Sequence, residues 1–246
     1  MTRPGISLPP VYYLQKWFWK SIDLIYPPNC AGCNTGGQRW CDHCQHNTKV
    51  IGQESCEICG LPGENSAKCK NCRQHLPSFK LARSWGLYTG ALRQAVLRLK
   101  YRRDLGLAEV LAGSLANLLG TLNWDIDLVV PVPLSKGRLR ERGYNQAAAL
   151  ARPLAWAWGL CYSDAALRKI RETSSQVSLS LDQRKANVVG AFSANPRIAL
   201  NRNILVVDDV MTTGATLDAC AAALKQAGAQ YIYGLTLART PDMPQA

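Results

Sequence analysis

The stretch Ile204-Leu-Val-Val-Asp-Asp-Val-Met-Thr-Thr-Gly-Ala-Thr216 decides how the chain is read. Four consecutive apolar residues, Ile204 to Val207, describe a strand covered on both faces, as strands are inside a parallel sheet. Asp208 and Asp209 follow at its carboxyl end, where open α/β sheets bind ligands. Thr212, Thr213, Gly214 and Thr216 then turn the chain into an alanine-rich helix, Leu217 to Lys225, closed by Gly228. The first amides of a helix have no partner within it, so they attract phosphate, and a glycine lets the ligand approach the backbone. Neighbouring carboxylates accept hydrogen bonds from sugar hydroxyls. Strand, acid pair and hydroxyl-rich turn therefore describe a sugar-phosphate site. The plainer alternative is a βα turn whose Asp pair caps the helix. A Walker A loop is excluded, because GxxxxGK[ST] occurs nowhere in the chain.

Working outward, the spacing predicts a compact α/β body after Pro77. Leu81 to Tyr88 alternates as a strand, while Gly90 to Tyr101 and Leu105 to Leu119 show helical periodicity. Asp127 to Pro133 reads as a buried strand stopped by proline, and the basic stretch Lys136 to Gln146 precedes a helix over Ala147 to Trp158. A short strand near Ala166 to Ile170, a polar segment Arg171 to Asn187 and a last strand near Tyr231 to Leu237 complete the series. Strands and helices in alternation imply a parallel sheet flanked by helices. Cys161 and Cys220 fall in apolar helical patterns and read as core residues.

Upstream, eight of the ten cysteines form four CxxC pairs: Cys30 and Cys33, Cys41 and Cys44, Cys56 and Cys59, Cys69 and Cys72. Each CxxC turn supplies two thiolates to one edge of a metal tetrahedron, so two turns complete a structural zinc site. Two ribbons in series fit the intervals, with an interleaved cross-brace as the rival arrangement and disulfides as the non-metal one. Residues 27–78 hold few large aliphatics and need such a staple to fold. His43, His46 and His75 read as surface residues, since four thiols per site suffice.

Ahead of the cysteines, Val11 to Tyr26 reads as an amphipathic helix with Leu14, Phe18, Ile22 and Ile25 on one face, expected to dock on the body, with a membrane surface as the alternative. Lys16, Lys20 and Asp23 interrupt it, so the pattern supports neither a signal peptide nor a membrane span, and a cytoplasmic protein is the default expectation. The domain reading is residues 1–26 for this helix, 27–78 for the zinc module and 79–246 for the α/β domain. The formal charge is +12. Two tetrathiolate zinc sites would lower it to about +8. The excess is concentrated at residues 80–150, eleven Lys or Arg against five acids, which suits an anionic ligand, a pyrophosphate or a nucleic acid backbone.

The turn at 204–216 resembles the 5-phosphoribosyl-1-pyrophosphate (PRPP) loop of type I phosphoribosyltransferases. Together with the CxxC pairs, Val130-Pro-Val-Pro133, Arg142-Gly-Tyr-Asn-Gln146 and the run Arg171-Glu-Thr-Ser-Ser-Gln176 with Arg184 and Asn187, it resembles the ComF family, which includes GntX-like and ComFC-like bacterial proteins. The resemblance covers residues 21–240. It implies a type I phosphoribosyltransferase-like parallel sheet behind an N-terminal double zinc ribbon, in a family linked to DNA uptake, competence and the use of external DNA. It further implies that Thr212, Thr213, Gly214, Ala215 and Thr216 hold a 5-phosphate and that Asp208 and Asp209 hold ribose hydroxyls. A pyrophosphate with magnesium would lie near the end of the Val130–Pro133 strand, within reach of Arg142 and its neighbours Arg138 and Arg140. Arg171 and Arg184 would belong to a loop that closes over the site. Trp85, Tyr88, Tyr144 and Trp156 are candidates for stacking on a base, with core packing the expected place of most of them. Two expectations follow: a transferase that consumes PRPP, or a nucleotide-sensing module that binds single-stranded DNA or a DNA-uptake helicase.

Overall fold

The computed structural model describes residues 10–63, 67–172 and 187–241. Its centre is the strand β6 (Asn203–Met211), which pairs in parallel with β7 (Tyr231–Arg239) on one side and β2 (Leu128–Pro131) on the other. β1 (Leu81–Leu87) and the two-residue β3 (Cys161–Tyr162) complete a five-stranded parallel sheet in the order β1-β7-β6-β2-β3. The apolar run 204–207 explains the position of β6. Leu205 and Val207 enter one core, Ile204 and Val206 the other, and all four are fully buried. Each such side chain contributes about 1.5–3 kcal/mol when removed from water, so a solvent-exposed edge position is excluded.

The first core is roofed by α4 (Gly90–Tyr101), α5 (Leu105–Leu119) and α7 (Gln146–Trp158), whose buried stripes include Leu92, Leu99, Leu111 and Leu154. The opposite core is covered by α9 (Ala215–Gln226). α9 lies close to the sheet because Gly234 of β7 leaves room; a Cβ there would stand 2.1 Å from Leu217 Cδ2. Between β2 and α7 the basic stretch forms α6 (Lys136–Arg142), capped by Ser135, ended by left-handed Gly143 and followed by Asn145 as cap of α7.

The expected strand near 166–170 forms as β4 (Leu167–Lys169). It leaves the main sheet and pairs antiparallel with β5 (Phe192–Ala194), two arms on either side of the polar segment. α8 (Pro196–Ala199) connects β5 to β6. Cys220 is buried in α9 as expected, but Cys161 is exposed on the edge strand β3 rather than placed in a helical core.

The zinc module holds α2 (Asp42–His46) and α3 (Lys70–Gln74) and covers the β1 edge of the sheet. The Leu87 amide donates to the Lys49 carbonyl, Ile51 to Trp85 and Ala82 to Ile58, so the edge groups of β1 are paired. The N-terminal helix, α1 (Pro10–Ile25), meets the body through Asp23, which accepts from Arg39, and through Trp19, whose ring lies 5.1 Å from the Arg39 guanidinium. Leu14, Phe18 and Ile25 are exposed and Ile22 is half-buried, so α1 meets the body along α7 with only part of the expected face.

Candidate functional site

A cleft of about 460 Å³ opens at the carboxyl ends of β2, β6 and β7 and brings together Asp208, Asp209, Thr212, Gly214, Thr216, Arg138 and Arg142. Thr213 and Ala215 belong to the same turn without lining its wall. Gly214 adopts φ +85° as the cap of α9, a left-handed conformation that other residues resist. Thr213 Oγ1 accepts from the Ala215 amide at 3.3 Å, while the Gly214 and Leu217 amides meet no acceptor among the described residues. The helix start therefore keeps open donors facing the cleft.

The acid pair does not cap α9, so the plainer reading of the turn fails. Asp208 Oδ1 instead accepts from the Asp209 amide at 2.8 Å. Burial raises the Asp208 carboxyl to about 8, and the Asp209 charge adds to the rise, against the Asp209 amide bond and the Lys100 charge. The Asp208 residue keeps some surface in the cleft, but its carboxyl is closely surrounded. Asp209 is buried, and its Oδ2 accepts no hydrogen bond; the Lys100 ammonium stands 3.4 Å away at ion-pair distance. A buried carboxylate oxygen in this state is prepared for a donor from outside the chain.

Arg142, at the end of α6, reaches the cleft with its guanidinium 5.8 Å from the centre of the Tyr101 ring. Arg140 is exposed and does not line the wall. Arg171 is exposed as well. It donates to the carbonyls of Asn187 (3.1 Å) and Val189 (2.7 Å), tying the two ends of the polar segment together outside the cleft wall. Arg184 lies outside the described residues. Of the aromatic candidates, only Tyr88 lines the cleft. Trp85 is buried, Trp156 packs against the core, and the Tyr144 hydroxyl donates to the Leu99 carbonyl.

Sequence reasoning missed Lys100, Gln146 and Lys169, all in the cleft wall. Lys100 had a signal: it follows Leu92 and Val96 at four-residue spacing, so a lysine continues an apolar helical stripe. Gln146 is buried with its Oε1 unpartnered. Burial, then Arg138, lowers the pKa of Lys169, which lies 5.7 Å from the Phe192 ring.

The eight paired cysteines form two clusters, Cys30, Cys33, Cys41, Cys44 and Cys56, Cys59, Cys69, Cys72, with the ligand atoms of each within 4.8 Å of one another. The order is sequential, and the cross-brace is excluded. A zinc–sulfur bond of about 2.3 Å implies S···S edges of about 3.8 Å. Cys30–Cys44 and Cys33–Cys41 at 3.6 Å and Cys59–Cys69 at 3.7 Å fit this. Burial opposes ionisation of Cys30 and Cys56, but backbone N–H bonds outweigh it and lower these thiols to about 6 and about 7. The clusters suit structural zinc. His43, His46 and His75 are exposed and belong to neither. The second cluster is joined to the sheet by Arg239 of β7, buried and donating to the Cys59 carbonyl at 2.9 Å and to Cys59 Sγ at 3.5 Å.

Sheet order, cleft and cysteine clusters define a phosphoribosyltransferase-type fold behind a double zinc ribbon. Residues 21–73 match the double zinc ribbon domain and residues 104–243 the phosphoribosyl transferase domain. The chain is 34% identical over 191 residues to DNA utilization protein YhgH of Salmonella typhi, covering 75% of this chain and 84% of that one. It is 26% identical over 236 residues to competence protein ComFC of Bacillus subtilis, 93% and 92% of the two chains. An adenine phosphoribosyltransferase structure from Thermoanaerobacter pseudethanolicus overlaps 56% of this chain and 82% of its own at 17% identity, with a TM-score of 0.36. The chain belongs to the ComF family. Among the described residues, no helix is long and apolar enough to cross a membrane.

Proposed function

We propose that the cleft binds PRPP and transfers its ribose 5-phosphate to an acceptor, with loss of pyrophosphate. The observation that carries this reading is the juxtaposition of open amides at the start of α9 with a buried, hydrogen-bond-deficient Asp209 in one cleft. The turn 212–216 holds the 5-phosphate through amides and threonine hydroxyls. Asp209 and, once ionised, Asp208 accept from the ribose 2- and 3-hydroxyls. Arg142 and Arg138 face the departing pyrophosphate, whose charge they stabilise as the bond to C1 lengthens toward a cation-like ribose. Arg171 donates to the carbonyls of Asn187 and Val189, and Arg184, which lies outside the described residues, would add a further cation for the ligand's charge. Magnesium, arriving with the pyrophosphate near the end of β2, would add charge neutralisation there. Two zinc ions hold the ribbon module.

In this reading the protein serves DNA utilization and competence, the roles in the names of its relatives, through phosphoribosyl chemistry in the cytoplasm. The basic rim then offers a surface to single-stranded DNA or to a DNA-uptake helicase. Calorimetry with PRPP and magnesium tests the site. The protein binds, and the double variant Asp208→Asn, Asp209→Asn loses roughly a hundredfold in affinity, as expected when two charge-assisted contacts are removed. Unchanged affinity in that variant refutes the assignment. Pyrophosphate release across a panel of nucleobases then identifies the acceptor, and silence across the panel leaves a binding module, whose DNA affinity would fall steeply with salt.

A further inference from the structure

α4 ends at the cleft, and its last two residues both serve it: Tyr101 lies beneath Arg142, and Lys100 points at the acid pair. This helix precedes the segment 104–243 that matches the phosphoribosyl transferase domain. Lys100 reaches the cleft along the buried stripe of Leu92 and Val96, and its side chain is only 20% exposed. A lysine so placed has surrendered most of its hydration, and it is held in the charged form by the Asp209 carboxylate at 3.4 Å and by its place in the last turn of a helix. Removing it from Asp209 would leave a buried carboxylate oxygen with no partner at all. A ribose hydroxyl adds a hydrogen bond to that oxygen without displacing the ammonium, which makes none to it. A divalent cation bound to the same oxygen would sit against an ammonium group, and the two compete for one position.

Resting on the PRPP reading above, we infer that Lys100 supplies, beside the acid pair, the positive charge that a divalent cation would otherwise bring, so that this cleft takes its pyrophosphate-bearing ligand with little dependence on magnesium. Lys100 then acts as a specificity-determining residue, shared between Asp209 and the anionic ligand. Lys100, Arg142 and Arg138 together place three cations around the position of the pyrophosphate.

The test is PRPP calorimetry on the zinc-loaded full chain with magnesium present or omitted. Omission replaces chelation, because a chelator would strip the zinc centres. Wild type loses less than about tenfold in affinity on omission. Lys100→Met loses tenfold or more, the scale of one charge-assisted contact, and magnesium restores most of it. Lys100→Arg behaves as wild type. Thermal unfolding and zinc content confirm that each variant is folded, and Lys100→Gln replaces Lys100→Met where the latter is not. Equal magnesium dependence in wild type and the uncharged variant overturns the role of Lys100 while leaving PRPP binding intact. Absence of PRPP binding by wild type under both conditions overturns the PRPP reading and this inference with it.

Discussion

The substitution Asp208→Asn separates the stability of the empty site from its ligand binding. Burial and the neighbouring Asp209 hold the Asp208 carboxyl at about 8 in the folded protein, against 3.8 for an unperturbed side chain. Between these values the folded chain keeps a proton that the unfolded chain has lost, so stability falls as pH rises through the window and levels off above about 8. A tenfold change in acidity is worth about 1.4 kcal/mol, so the gap between the two values sets a ceiling of roughly 6 kcal/mol. Water entering an open cleft reduces this to about 2–3 kcal/mol at pH 8. Asparagine stays neutral at every pH and keeps the Oδ1 that accepts the Asp209 amide at 2.8 Å. The empty variant is thus more stable than wild type at pH 8 by about 2–3 kcal/mol, or about 5–10 °C in Tm for a chain of this size. The two curves approach each other only as pH falls toward the unfolded value of 3.8. Denaturant and thermal unfolding of the zinc-loaded proteins between pH 6 and 9, without ligand, measure the gap. Parallel profiles, or a variant less stable than wild type at pH 8, would show that Asp208 is ionised and well solvated in the empty cleft. The same variant loses affinity for a phosphoribosyl ligand, so it exchanges function for stability.

Gly214→Val places a β-branched residue at φ +85° with its Cβ 2.8 Å from Met211 Cε. Expected are a stability loss of about 1–3 kcal/mol by denaturant unfolding and loss of PRPP binding in calorimetry, because the open amides shift. Arg239→Met removes the guanidinium from Cys59, so zinc leaves the second cluster faster than the first when release is followed with a chromogenic chelator; unchanged biphasic release shows the contact to be incidental. Zinc removal from the whole protein melts the ribbon module, visible as lost amide-exchange protection at Ile51, Ala82 and Leu87, whose amides donate across the seam with β1; retained protection shows that those pairings stand without metal.

The parts of this structure legible in the sequence are those fixed by local pattern. Ile204 to Val207 are apolar without alternation because both faces of β6 are covered, and the CxxC spacing is set by one metal ion's geometry. The acids at 208 and 209 are readable for the same reason, standing where such a strand must end. What was hidden depends on contacts between distant segments. The strands Cys161–Tyr162 and Phe192–Ala194 are too short to show a period and are held by partners far along the chain. α1 carries a clear apolar face, yet periodicity alone does not say what covers that face, and only part of it meets the body, beside the Asp23–Arg39 pair. Arg239 looks like the polar end of a strand until the zinc module is packed over it. Lys100 is the most instructive case. Its position on the stripe of Leu92 and Val96 marks a lysine directed inward, and an inward lysine requires a counter-charge. The sequence contains that requirement at residue 100 and its answer at residue 209, but only the approach of α4 to the end of β6 joins them. A cation recruited from outside the sheet thus becomes part of a site whose acids and phosphate turn come from a single βα unit.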